Sequence, residues 1–126
     1  MLLIFLLSCA AINGQGTLRE SLAFYSVLLE DTVRYSVYLP EGYHTSTRDY
    51  PVLYLLHGAW GNETDWIRYG KIKKTVDEGI ESGSLSPMLV IMPGAGNSYY
   101  VNQYQGNYPY EDMFFLELIP QMEKAY

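Results

Sequence analysis

Three stretches of this 126-residue chain predict an α/β fold built on a parallel strand, helix and strand. Val52 to Leu56 is an unbroken apolar run with no in/out alternation, as expected of a strand covered on both faces in the middle of a parallel sheet. Met88 to Met92 is a second such run. Between them, Ile72, Val76 and Ile80 recur at four-residue spacing with lysines and carboxylates interleaved, so Lys71 to Glu81 reads as an amphipathic helix that Gly83 stops. A helix joining two parallel neighbours makes a right-handed crossover.

The segments before this unit predict a hairpin. Gly16 to Leu29 is a polar lead-in followed by Leu22, Phe24 and Val27 to Leu29, a first strand with imperfect alternation. Thr32 to Leu39 alternates cleanly: Val33, Tyr35, Val37 and Leu39 face one way, and Arg34, Ser36 and Tyr38 the other. Glu30 and Asp31 form the hairpin tip. Pro40-Glu41-Gly42 is turn chemistry, and the polar loop after it carries a solvated His44.

The carboxyl end of a buried strand in an open α/β sheet is where ligands bind. Here that end is His57-Gly58-Ala59-Trp60-Gly61, where glycines leave main-chain N–H groups accessible to a developing oxyanion. Asn62 to Asp65 is rich in residues that cap helices or make local turns, and Trp66 reads as a packing anchor. The long loop from Pro93 to Pro109 leaves the end of the second parallel strand, so it should lie beside the His57–Gly61 loop and wall a cleft. Asn97, Tyr99 and Tyr100 are its cleft candidates, with Tyr104 and Tyr108 further along; stacking on a sugar or phenolic ring and a plain tyrosine-rich surface both fit. Glu111 to Tyr126 closes the chain as a helix with Phe115, Leu118, Ile119 and Met122 on one stripe. Pro120 removes a hydrogen bond to the Leu116 carbonyl and should bend it, and Glu111 and Asp112 suit its amino-terminal dipole.

Two motifs in the long loop are decoys. Gly94-Ala95-Gly96-Asn97-Ser98-Tyr99 starts like a dinucleotide fingerprint but lacks its third glycine and any helix pattern. Gly96-Asn97-Ser98-Tyr99-Tyr100 starts like a nucleophile elbow, but tyrosine stands where the second glycine belongs, which leaves Ser98 a weak nucleophile candidate.

YPVLYLLHGAWGNETDW resembles the third-strand and oxyanion-loop segment of the putative-esterase branch of the α/β-hydrolases, which includes feruloyl and acetyl-xylan esterases. YSVYLPEGY before it, and MLVIMPGAGNSYY and YEDMFFLELIPQMEKAY after it, fall in that family's order. The resemblance covers Gly16 to Tyr126. It implies the amino-terminal half of an α/β-hydrolase sheet, with Gly58, Ala59 and Trp60 in the oxyanion loop and His57 as a structural part of it. It also implies that the serine, carboxylate and histidine of the triad lie beyond Tyr126, in that order, and that the strand carrying the serine flanks the strand ending at Leu56. The expected activity is hydrolysis of carbohydrate-linked or phenolic esters. A non-catalytic carbohydrate-binding or decayed relative and an acyltransferase of the same fold are the alternatives.

Composition is that of a globular domain: 48% of residues are hydrophobic, 17% are charged, and 13 are tyrosines. A net charge of -6 without a basic cluster predicts no nucleic-acid partner. With two histidines far apart and one cysteine, neither a zinc site, an internal disulfide nor a cofactor is expected. Residues 1–15 open with an apolar run ending in small residues, the pattern of a signal peptide on a secreted or periplasmic protein. Leu6-Leu7-Ser8-Cys9 also resembles a bacterial lipobox, which would make Cys9 a lipid anchor.

Overall fold

The computed structural model describes residues 14–126; the leader and the lipid-anchor reading of Cys9 fall outside or at the margin of these residues. Strands β1 (Thr17–Ser26), β2 (Asp31–Leu39), β3 (Val52–Tyr54) and β4 (Leu89–Pro93) form one sheet in the order β1-β2-β4-β3. β1 with β2 and β2 with β4 are antiparallel, whereas β3 and β4 are parallel. The predicted hairpin and parallel unit are therefore present. Helices α1 (Asp65–Arg68) and α2 (Ile72–Glu81) lie in the crossover from β3 to β4. Gly83, at φ 74, follows the end of α2, and its N–H bonds the Ile80 carbonyl.

The alternation in β2 sets the layering. Val33, Tyr35, Val37 and Leu39 join Leu89 and Ile91 on one face, under Tyr110, Met113, Leu118 and Met122 of the final helix. On the other face Tyr38, Val90 and Met92 pack against Ile72 and Val76 of α2. β4 is buried along its whole length because it is covered on both faces and paired on both edges.

β3 differs from the expectation of a central strand. Among the described residues only β4 pairs with it, and Val52, Leu53 and Leu56 are 38%, 42% and 40% exposed. An apolar run records a preference for burial but does not name the neighbour that supplies it. The end of β1 also differs: residues 27–30 form the turn, so Val27 to Leu29 is not strand. β1 carries a bulge between Arg19 and Leu22 in which Ser21 sits at φ 50, which accounts for its broken alternation.

The closing helix runs as α3 (Tyr110–Met113), a π-helical turn (Phe114–Leu118) and α4 (Ile119–Ala125). Pro120, which has no N–H and would crowd the Leu116 carbonyl, stands in the first turn of α4, directly after the π turn. The wider turn steps the buried stripe by one residue. It reads Tyr110, Met113, Leu118, Met122, and Phe115, predicted to lie on it, is 60% exposed. The same turn presents Glu117 to the hairpin. Its carboxylate accepts the Ser26 hydroxyl and the N–H groups of Val27 and Leu28, at 3.0 and 3.1 Å for the latter two, fastening the β1–β2 turn to the helix.

Candidate active-site loop

Beyond Tyr54 the chain leaves the sheet edge and turns back on itself between Gly58 and Gly61, whose N–H bonds the Gly58 carbonyl at 3.1 Å. Trp60 occupies this turn at φ 63 with its ring 86% exposed. A β-carbon on Gly61 would stand 2.3 Å from Asp65 Oδ2 and 2.9 Å from His57 Nδ1, so only glycine closes the turn this tightly.

His57 is buried and holds the loop from inside. The Ala95 N–H donates to its Nε2 at 2.9 Å, so that nitrogen is unprotonated and the ring proton is on Nδ1, where it meets the Gly58 carbonyl at 2.7 Å. Both ring nitrogens are thereby committed to backbone, which suits a structural histidine and leaves none for proton transfer. Tyr100 completes the clamp: its hydroxyl accepts the His57 N–H at 2.7 Å and donates to the His57 carbonyl at 3.1 Å. Burial pushes the Tyr100 hydroxyl up to about 12, so it stays a donor throughout the neutral range. Its ring is braced edge-on by Tyr110 at 5.7 Å.

The long loop thus lies beside the His57–Gly61 turn, as its exit from β4 predicts, but its residues divide. Asn97 Oδ1 accepts the Trp60 N–H at 3.1 Å, so Asn97 and Tyr100 shape the turn, while Tyr99 points out at 76% exposure. Trp66 anchors the loop through its indole N–H to the Leu56 carbonyl at 2.9 Å. With the Trp60 N–H occupied, the N–H groups of the turn left without an acceptor among the described residues are those of the exposed Gly58 and Ala59. Ser98 is buried, with its Oγ accepting the Tyr100 N–H at 3.2 Å.

Two supports were not legible in the sequence. Glu63 is buried and accepts the Ser21 hydroxyl at 2.8 Å, tying the segment after the turn to the β1 bulge, whose Ser21 N–H bonds Ser36 Oγ at 3.1 Å. A glutamate after a glycine-rich loop carries no signal that a serine 42 residues earlier will meet it. Among the described residues no group of three or more His, Cys, Asp or Glu is placed to hold a metal ion.

A family model described as "Putative esterase" matches residues 26–126. An endo-1,4-beta-xylanase/feruloyl esterase of Xylanibacter ruminicola is 35% identical over 99 residues, which span 72% of this chain and 14% of that protein. Endo-1,4-beta-xylanase Y of Acetivibrio thermocellus is 33% identical over 101 residues, 78% of this chain and 9% of the relative. Among solved structures, a ferulic acid esterase superposes with a TM-score of 0.81 at 30% identity, covering 89% of this chain and 45% of its own. A mutant feruloyl esterase module from Clostridium thermocellum, complexed with sinapinate, gives 0.70 at 29% identity and covers 89% and 37%. The chain therefore spans a small part of these curated relatives and under half of these solved structures. A match over most of the chain, together with the strand order and the turn after β3, shows that it belongs to the esterase family of the α/β-hydrolase fold.

Proposed function

We propose that this chain is the oxyanion-loop side of a serine carboxylic-ester hydrolase acting on carbohydrate-linked or phenolic esters. The observation that carries the reading is the turn after β3, in which the Ala59 N–H meets no acceptor among the described residues and both flanks are held by His57, Asn97 and Tyr100. A donor that is fixed before the reaction stabilises the tetrahedral oxyanion without reorganising when charge develops. A serine supplied from outside the 126 residues attacks the ester carbonyl, with a histidine as its base and a carboxylate orienting that histidine. The Ala59 N–H then shares the oxyanion with the N–H that follows the serine. The open edge of β3 suits this arrangement, because a strand pairing there would deliver its carboxyl end next to the turn. The apolar run at residues 1–15 suits export, with cleavage nearby or lipidation of Cys9.

A fluorophosphonate probe, which phosphonylates activated serines, tests this directly. In the protein as its gene encodes it, the label should fall on a serine outside residues 1–126, and the 126-residue chain alone should neither take label nor hydrolyse a chromogenic ester above background. Label on Ser98, turnover by the chain alone that Ser98→Ala abolishes, or no labelled serine anywhere would overturn the proposal.

A further inference from the structure

Strand β1 breaks its ladder with β2 at the bulge between Arg19 and Leu22, where Ser21 stands at φ 50. A bulge on an edge strand can serve only to twist that edge out of reach of other chains, but glycine would then hold the positive φ at no steric cost. Serine strains the backbone there and adds one thing, a hydroxyl. That hydroxyl donates to Glu63 Oε1 at 2.8 Å, 42 residues along the chain, while the Ser21 N–H is turned onto Oγ of the fully buried Ser36 at 3.1 Å. Glu63 is the less expected partner. It is 9% exposed, and the one hydrogen bond of its carboxylate among the described residues comes from a neutral hydroxyl. A carboxylate buried with so little compensation costs stability that an apolar side chain would not.

The two carboxylate oxygens meet two different elements. Oε1 is on the β1 bulge, and Oε2 stands 3.0 Å from where a β-carbon on Gly94 would be, at the exit of β4, where the Gly94 N–H bonds the Arg34 carbonyl of β2 at 2.8 Å. Glu63 is also two residues past Gly61, which closes the turn after β3. Ala95, next to Gly94, gives its N–H to His57 Nε2 inside that turn. A shift of the carboxylate therefore reaches the turn twice, along the chain through Asn62 and across the fold through Gly94, Ala95 and His57. We propose that Ser21 and Glu63 are positioning residues: the β1 bulge props Glu63, and Glu63 sets the spacing of the turn at which the Ala59 N–H meets the oxyanion. Bulges beside active sites re-aim a side chain in this way. The effect on catalysis rests on the esterase reading above, whereas the mechanical coupling of bulge to turn does not.

The test uses the protein as its gene encodes it. Ser21→Gly removes the hydroxyl and relieves the positive φ, so the variant should fold with a Tm close to the parent's. On the methyl ester of a phenolic acid its kcat should fall about tenfold with KM unchanged, since a displaced donor loses transition-state binding and not ground-state binding. Glu63→Ala should show the same loss, and Glu63→Gln, whose Oε1 still accepts the hydroxyl, should restore most of it. A merely structural role would lower Tm and leave the kcat of the folded protein alone. Unchanged kcat in folded Ser21→Gly, a rise in KM alone, or a Glu63→Gln as slow as Glu63→Ala would overturn the proposal. Hydrogen exchange separates it from the esterase reading. In Ser21→Gly the Trp60 and Gly61 amides, which bond Asn97 Oδ1 and the Gly58 carbonyl, should exchange about tenfold faster while those of α2 keep the parent's rate. That result upholds the coupling even if the encoded protein hydrolyses no ester, an outcome that would sink only the esterase reading. Turn amides exchanging at the parent's rate would sink the coupling.

Discussion

Replacing Tyr100 by phenylalanine removes one oxygen from beside the turn after β3 and nothing else. The ring keeps its edge-on contact with Tyr110 at 5.7 Å and its place 5.4 Å from the His57 ring, and the residue keeps its φ of 60. What is lost is the pair of bonds by which the hydroxyl serves the N–H and carbonyl of His57. Leaving a buried backbone group without a partner costs about 1–3 kcal/mol. His57 is buried, but Tyr100 is only partly so, and water entering from the loop side can replace part of the loss. The lower end of the range applied to two groups gives about 2 kcal/mol in total, or about 8 °C in Tm for a domain of this size. The change should also be local: hydrogen exchange at the His57 amide should accelerate strongly while amides of β4 slow or quicken only with global stability. In the encoded protein kcat should fall with little change in KM, because in the proposed mechanism the turn acts on the oxyanion and not on ground-state binding. An unchanged His57 exchange rate together with a Tm within a degree of the parent would refute the clamp.

Two further outcomes follow from the same geometry. Because burial raises the Tyr100 hydroxyl from 10.0 to about 12, the fold favours its neutral form; its contribution is fully present below pH 10, and should be lost as pH rises through about 12. An alkaline titration followed by tyrosinate absorbance should thus show a late-ionising fraction coincident with unfolding, and that fraction should shrink in Tyr100→Phe; a single ordinary tyrosine transition would contradict this. Glu117→Ala should cost about 1–2 kcal/mol by releasing one hydroxyl and two N–H groups of the β1–β2 turn, two of them near water, with Glu117→Gln recovering part of it. A urea midpoint unchanged in Glu117→Ala would show that the helix does not hold the hairpin.

Elements that the sequence alone determined are those whose signal is local. The alternation of Val33, Tyr35, Val37 and Leu39 needs only a period of two, and the four-residue spacing of Ile72, Val76 and Ile80 needs only a helical turn, so both elements appear where they were expected. The turn after β3 was legible because glycines directly follow an apolar strand in the chain. Tertiary structure decided whatever depends on partners distant in sequence. The apolar pattern of β3 could not say that β4 is its partner among the described residues, since strand order is a property of pairing and not of any one strand. Pro120 announced a disturbance, but only the structure shows that it takes the form of a π turn just before Pro120, between the core residues Met113 and Met122. Asn97 and Tyr100 looked like cleft residues because they are polar and aromatic in a long loop. Their partners, Trp60 and His57, lie 37 and 43 residues away, and only folding brings those backbone groups within hydrogen-bonding reach.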